Sequence, residues 1–408
     1  MNKKEVKKAP ALRFKGFTND WEQQSLKKIF TTITDYVANG SFASLRHNVK
    51  TYKKPNYAYL IRLMDASNNW NGPWLFTDKK GYDFLSKSSL KPKDILLSNV
   101  GAGVGKTFQV PRLDKPMTLA PNAILLRSNK LNNQFCFYLL KYPQNKNKVL
   151  SLVGVSAQPK LNKTDFGRLI FNIPNDRSEQ DKISKILSKL DKIVNLQQRK
   201  LRLLKLLKKA TQQNIFASTE CLPKLKYRNL TEKWQLYRLK DVAKITMGQS
   251  PNSKNYTQNP IDHILVQGNA DIRNGYVFPR IWTTEITKIA SKGDIILCVR
   301  APAGDVGRTK FNVVIGRGVA AIKGNDFIFQ QLQFMKSSGY WKKYISGSTF
   351  ESINSNDIKN AKIFCPSQLE QKNISSLLDD IDTSIQIQQK NILDFKYIKQ
   401  FLLQNMFI

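Results

Sequence analysis

Residues 179–216 read EQDKISKILSKLDKIVNLQQRKLRLLKLLKKATQQNIF, and residues 370–407 read EQKNISSLLDDIDTSIQIQQKNILDFKYIKQFLLQNMF. The runs align without a gap. They share the Glu-Gln opening, Ile183 and Ile374 at the fifth position, Asp191 and Asp382 near the centre, a Gln-Gln pair, and the closing Asn and Phe. In the first run Ile183, Ile186, Leu187, Leu190, Ile193 and Val194 recur at three- and four-residue steps, and the stripe resumes through Leu201, Leu204 and Leu207. In the second the stripe is Ile374, Leu377, Leu378, Ile381, Ile385, Ile392, Phe395, Ile398 and Leu402. A narrow seam repeating near 3.5 residues predicts a coiled-coil helix. At a rise of 1.5 Å per residue each helix would be ~57 Å long. A small domain cannot bury a stripe of that length, so each helix is expected to pair with the other copy. Charge favours the pairing, because Lys and Arg dominate the first run while Asp379, Asp380, Asp382 and Asp394 mark the second. The first helix leads by a short link into the second half, which predicts an antiparallel pair. Gln197-Gln198 and Gln388-Gln389 then lie near its middle, where polar pairs fix register.

The duplication extends upstream. Residues 12–21 (LRFKGFTNDW) return as residues 225–234 (LKYRNLTEKW), and Lys93-Asp94-Ile95-Leu96-Leu97 returns as Gly293-Asp294-Ile295-Ile296-Leu297. Val104-Gly105-Lys106-Thr107 is matched to Val306-Gly307-Arg308-Thr309, and Asn162, Asp165 and Pro174 to Asn354, Asp357 and Pro366. Internal repeats decide the fold before any local detail. A period of half the chain means a duplicated domain plus helix, with variable segments between constant anchors.

Lys and Arg number 66 against 30 Asp and Glu, a formal net charge of +36. So large an excess favours a polyanionic partner, because each phosphate neutralised by Lys or Arg releases a condensed counterion. No run of ~18 apolar residues offers a transmembrane helix. The Lys-rich residues 1–11 read as a disordered basic arm rather than a leader, and the chain is expected to be cytoplasmic. Cys136, Cys221, Cys298 and Cys365 lie far apart and His47 and His263 are the only histidines, so neither a metal site nor a cofactor is expected.

The remainder predicts mixed α and β structure. Residues 59–64, 94–97, 123–126, 169–173, 264–267, 294–299 and 320–322 read as strands, and residues 135–150 and 329–345 as helices. Gly101-Ala102-Gly103-Val104-Gly105-Lys106-Thr107 imitates a phosphate-binding loop, but Val100 occupies the position where G-x-x-x-x-G-K-[ST] needs Gly. It is expected to be a Gly-rich turn beside a strand. With two His and few acids, general acid–base chemistry lacks candidates.

The Leu-Arg-Phe-x-Gly-Phe entry before Trp21, the Gly-Asp-Ile strand with its Gly-rich basic loop, Gly248-Gln249-Ser250-Pro251 and the Pro-led Glu-Gln helix openings together resemble the DNA-specificity subunits of type I restriction-modification systems. The resemblance covers essentially the whole chain. It implies an α+β fold with two target-recognition domains joined by two long antiparallel coiled-coil helices in a pseudo-two-fold duplication. The corresponding boundaries are a basic arm at 1–11, recognition domains at 12–176 and 225–366, helices at 177–217 and 367–408, and a linker at 218–224. It implies a non-catalytic protein that binds double-stranded DNA, two modification subunits and restriction subunits, with the helices setting the spacing between half-sites. By analogy, DNA contacts fall on Ser98, Asn99, Lys106, Ser156, Gln158, Lys160 and Asn162 in the first domain. In the second they fall on Gln249, Ser250, Lys254, Tyr256, Gln267, Arg300, Arg308, Ser348 and Asn354. The competing readings are an autonomous DNA-processing enzyme with a duplicated DNA-binding frame, and a basic architectural protein that coats DNA without specificity.

Overall fold

The computed structural model describes residues 9–154, 159–216, 223–225, 233–344 and 352–408. The expected basic arm and the expected linker therefore lie largely outside the described residues. The chain divides into two units, residues 1–196 with 392–408, and residues 197–391.

In the first unit Glu22–Ser25 pairs antiparallel with Ile170–Ile173. A four-stranded antiparallel sheet follows in the order Thr32–Asp35, Ala123–Arg127, Ile95–Ser98, Thr107–Gln109. A second sheet runs Phe76–Thr77, Ala58–Ile61, Met117–Leu119, Ser89–Leu90, with its central pair parallel. The short apolar runs become strands because both of their faces are covered. Ile95, Leu97, Ile124 and Leu126 enter the core beneath the helices. Alternate residues Leu96, Ala123 and Leu125 enter the core against the other sheet, as a side-chain period of two requires.

The second unit repeats this frame. Gln235–Arg238 pairs with Lys362–Cys365. One sheet runs Lys244–Met247, Val319–Lys323, Ile295–Cys298, Val306–Arg308 and gains the hairpin Ile272–Arg273/Tyr276–Val277. The other runs Tyr256–Thr257, Ile281–Thr283, His263–Val266, Val313–Ile315, Ile289–Ala290, with its parallel pair again central. Ile295, Leu297, Ala320 and Ile322 face one core, and Ile296, Cys298, Val319 and Ala321 the other.

Most strands predicted from sequence fall within one or two residues of those observed. The exception is residues 59–64, where the strand stops at Ile61 and Leu63–Ser67 is helical. Asp65 accepts from the Arg62 backbone N–H at 2.9 Å, and that cap turns the chain. The helix expected at 135–150 is two helices, Asn133–Lys141 and Pro143–Leu150, because Pro143 restarts at the first helical position. That expected at 329–345 is Asp326–Ser337 followed by a 3-10 turn at Tyr340–Tyr344.

The long helices are Arg177–Phe216 and Gln368–Asn405, and each contributes to both units. Within the first unit Ile183, Leu187 and Leu190 share a core with Leu402, Met406 and Phe407 around Trp21 and Phe135. Within the second, Ile374, Leu378 and Ile381 share a core with Ile215 and Phe216 around Trp234 and Phe327. In each unit the start of one long helix lies beside the end of the other, so the pairing is antiparallel. The Gln388 amide donates to the Gln197 side chain and, at 3.1 Å, to the Gln197 carbonyl, which places the polar pair where the repeat puts it.

Charge pairing departs from the expectation of one basic helix on one acidic helix. Lys208 binds Asp382 at 2.7 Å, and at the same repeat positions Lys399 binds Asp191. The pairs are reciprocal, so each helix supplies one acid and one base. In the first unit Tyr138 also donates to Asp191 at 2.7 Å, and burial beside Lys399 lowers the Lys141 ammonium to about 8. In the second unit Gln330 and Gln333 occupy the corresponding positions, Gln330 donating to Asp382 at 3.1 Å and Gln333 accepting from Lys208 at 2.7 Å.

The Glu-Gln openings have separate duties. Gln180 and Gln371 each donate to the carbonyl of the preceding Pro174 or Pro366 at 2.9 Å, closing the turn into the helix. Glu179 is buried and accepts two hydrogen bonds from Arg13 at 2.7 and 2.8 Å. Three residues of the expected seam, Leu207, Leu377 and Ile398, are exposed, together with Leu203, Leu206, Leu393, Tyr397 and Phe401. Among the described residues no helix is long and apolar enough to cross a membrane.

Candidate nucleic-acid interface

In the second unit three connections meet beyond the strand ends, and with residues 300 and 301 they enclose a cleft of about 880 Å³. Gly248 donates to the Val319 carbonyl at 3.0 Å and Gln249 to the Ile315 carbonyl at 2.9 Å, which fastens the first connection onto the third. A Cβ on Gly248 would sit 2.1 Å from the Gly316 carbonyl oxygen, and one on Gly318 would sit 1.9 Å from the Gln267 carbonyl oxygen. Only glycine permits that approach. This is the physical content of Gly248-Gln249-Ser250-Pro251. Gly318→Ala is expected to cost roughly 1–3 kcal/mol by forcing the connections apart, measured as a lower denaturant midpoint. An unchanged midpoint would show that the approach is not required.

The side chains around the cleft are held from several directions. Ser250 Oγ accepts from the Arg317 backbone at 3.0 Å, and Thr287 donates to the Gln249 carbonyl at 2.5 Å. Glu285 accepts from the Asn252 backbone and the Asn255 amide, and those bonds hold its carboxyl below the usual range. Asp271 accepts from the backbones of Gln267 at 2.8 Å and Gly268 at 3.2 Å. The Gln267 amide donates to the Tyr256 hydroxyl at 2.7 Å. Arg300 and Arg317 are exposed on this cleft and, among the described residues, have no carboxylate partner.

Five residues expected from sequence, Gln249, Ser250, Tyr256, Gln267 and Arg300, thus line one cleft. Lys254 is exposed on the adjoining 3-10 turn Ser253–Asn255. Arg308 lies elsewhere. It pairs with Asp326 at 2.5 Å, packs over Phe329 and faces a different pocket beside Lys208. Asn354 caps the helix Ser355–Lys359, and its side chain accepts from Asp357. Ser348 lies outside the described residues. Arg317 and Asn269 line the same cleft without being among the expected residues; the Gly-Arg-Gly run at 316–318, a cation between two small residues on a turn, is the sequence signal for the first.

In the first unit the Gly-rich segment is a hairpin loop between Ile95–Ser98 and Thr107–Gln109. No helix follows it, which removes the phosphate-loop geometry. Gly105 donates to the Ser98 carbonyl at 2.9 Å and Ser98 to the Lys106 carbonyl at 2.9 Å. Val100 bridges to Lys160, and Leu161 donates to the Asn99 carbonyl at 2.9 Å. Lys106 and Lys160 are exposed here, whereas Ser98 and Asn99 are buried. The Asn162 side chain is occupied as a helix cap, accepting from Thr164 at 2.8 Å. Ser156 and Gln158 lie outside the described residues.

The hairpins also correct one sequence match. Ile95 pairs with Gln109 and Ile295 with Arg308. Gly304 donates to Cys298 as Gly105 does to Ser98. Structurally, therefore, Lys106 corresponds to Asp305, and Arg308 to Gln109. The resemblance of Val-Gly-Lys-Thr to Val-Gly-Arg-Thr is a coincidence of composition three residues out of register.

Burial pushes the thiols of Cys136 and Cys298 up to about 12 and that of Cys365 to about 11, while Cys221 lies outside the described residues. Both histidines are exposed, and among the described residues no three His, Cys, Asp or Glu gather at a metal-binding distance.

Comparison with known proteins places this geometry. The chain is 29% identical over 396 residues to a protein assigned as the MjaX specificity subunit of a type I restriction enzyme in Methanocaldococcus jannaschii. The match covers 91% of this chain and 89% of that one. Its fold is similar to the type I restriction-modification S subunit of M. genitalium, with a TM-score of 0.64 at 13% identity, covering 98% and 99% of the two chains. A chain from work on complex assembly and conformational transition of the type I R-M system gives 0.56 at 19% identity over 94% and 96%. The model of the type I restriction modification DNA specificity domain matches twice, at residues 18–206 and 231–394, once in each copy of the duplicated frame, and the chain belongs to that family.

Proposed function

We propose that each unit recognises one half of a split double-stranded DNA target, with the loops around Gln249, Gln267, Arg300 and Arg317 reading in the second unit. In the first unit the exposed Lys106 and Lys160 are the proposed DNA contacts. The protein is the recognition component of a type I system and not itself the catalyst. The observation that carries the two-site reading is a constant frame bearing different loops. Sheet order, hairpin and helix contacts repeat, whereas the side chains beyond the strand ends do not. Phosphate contacts would set register while base contacts set sequence, and the net charge of +36 suits both.

The modification subunits are expected on the long helices. Leu206 and Leu207 in the second unit, and Tyr397 and Ile398 in the first, are exposed at equal repeat positions, so the two units offer related apolar faces to two copies of one partner. Restriction subunits would join through that assembly. The cytoplasm is the inferred compartment, consistent with the described cysteines being unbonded.

Footprinting of the full chain on DNA carrying the site, located by mapping methylated bases in cells that express it with its modification partner, tests the reading. Two protected patches flanking an indifferent spacer are expected. Equal protection of scrambled DNA would leave only a non-specific coat, and cleavage or methyl transfer without added subunits would favour an autonomous enzyme.

A further inference from the structure

The two units hold different side chains at one equivalent point. In the first, Ala120 donates to the Ile61 carbonyl at 2.8 Å; in the second, Gly316 donates to the Val266 carbonyl at 2.8 Å. The next residue along the inner strand is therefore Arg62 in one unit and Gln267 in the other. Each has its backbone N–H tied to a carboxylate, Asp65 or Asp271. Their side chains then part. Arg62 is consumed internally, donating twice to Asp65 at 3.1 and 2.6 Å and to the Pro73 carbonyl at 2.6 Å. Among the described residues Gln267 makes one side-chain bond, to Tyr256, and it lines the open cleft.

From this difference we infer that Gln267 is a specificity-determining residue of the second unit and that it selects adenine. A carboxamide has two N–H donors and one oxygen with two lone pairs. Tyr256 takes one N–H, which leaves one donor and one acceptor side by side. Adenine presents the complement in the major groove, an N7 acceptor beside an N6 donor, and Gln pairs with it in two-point fashion. Guanine offers two acceptors there and leaves the Gln oxygen unsatisfied. Both ends of Gln267 are fixed, by Asp271 at the backbone and Tyr256 at the amide, so little freedom is lost on binding. Arg300 and Arg317, exposed on the same cleft and without a carboxylate partner among the described residues, would meet the flanking phosphates.

This rests on the DNA-recognition function proposed above, and one experiment separates the two. The full chain is used to select from a library of randomised duplexes, and the bound fraction is sequenced for the wild type, Gln267→Leu, Gln267→Glu and Tyr256→Phe. The wild type is expected to return a two-part motif with a required adenine in the half-site read by residues 197–391. Gln267→Leu should lower the preference for that adenine about 10- to 100-fold and leave the other positions intact. Gln267→Glu should favour cytosine there, whose N4 donates to a carboxylate. Tyr256→Phe should weaken the same position alone. A wild-type motif that is unchanged in every variant overturns the assignment to Gln267 and leaves the recognition function standing. Loss at all positions together in all three variants, Tyr256→Phe included, assigns Gln267 a packing role and also overturns it. No wild-type motif at all overturns both.

Discussion

Replacing Phe407 by Ala is expected to destabilise the first unit by about 3–5 kcal/mol and to leave the second nearly unchanged. Phe407 is 2% exposed and lies against Trp21 at 6.1 Å, Phe135 at 5.6 Å and Tyr142 at 5.8 Å between ring centres. Deleting the ring removes its transfer free energy and leaves a void that three aromatic neighbours cannot fill without leaving their rotamers. A single global midpoint is the wrong measurement, because a chain of two units need not unfold in one step. Backbone hydrogen exchange resolves them. Amides of Ile95–Ser98 and Ala123–Arg127 should exchange faster in Phe407→Ala, and those of Ile295–Cys298 and Val319–Lys323 should keep their protection. Phe216→Ala should show the reverse, since Phe216 packs against Phe327 at 5.6 Å and Phe334 at 5.5 Å in the second unit. Equal loss in both units from either substitution would contradict this division of the closing aromatics.

That outcome bears on what the sequence could disclose. The repeat exposed the pairing of the long helices because two nearly matched runs satisfy each other's seams and polar positions. It could not disclose that the closing Phe of each run belongs to a head core, since a terminal aromatic follows the same period whether it meets a helix or a sheet. Nor could it separate Asn162 and Asn354, whose side chains cap helices, from Gln267, whose amide faces a cleft. All three are polar residues outside the long apolar runs, and only tertiary placement decides which has hydrogen-bonding capacity left over. Arg308 illustrates the opposite error. Its tetrapeptide copied a basic loop, but strand register placed it beside Asp326. The frame is legible because hydrophobic period and repeat spacing are local signals. The proposed recognition side chains are hidden because they are defined by what the fold leaves unpaired.

Inserting four helix-favouring residues into both long helices, between Leu196 and Gln197 and between Asn391 and Ile392, is expected to lengthen the gap between half-sites while each half-site persists. Both insertions fall between contacts that belong to separate units. Lys399–Asp191 lies in the first, and Lys208–Asp382 and Gln388–Gln197 lie in the second. A matched pair of insertions preserves every one of them, whereas a single insertion would set one helix out of register with the other. Four residues add ~6 Å of rise and ~40° of rotation. On DNA, ~6 Å is about two base pairs at ~3.4 Å each, and two base pairs turn the groove by ~70°. The residual mismatch is ~30°, so a longer gap should be accepted at reduced affinity. A matched insertion of three residues adds ~4.5 Å but rotates by about −60°, and should bind worse than four at every gap length. Duplex selection with both chains distinguishes the cases. An unchanged gap in the four-residue chain would mean that the helices do not set the spacing. A three-residue chain that bound as well as the four-residue chain would mean that they set distance without setting phase.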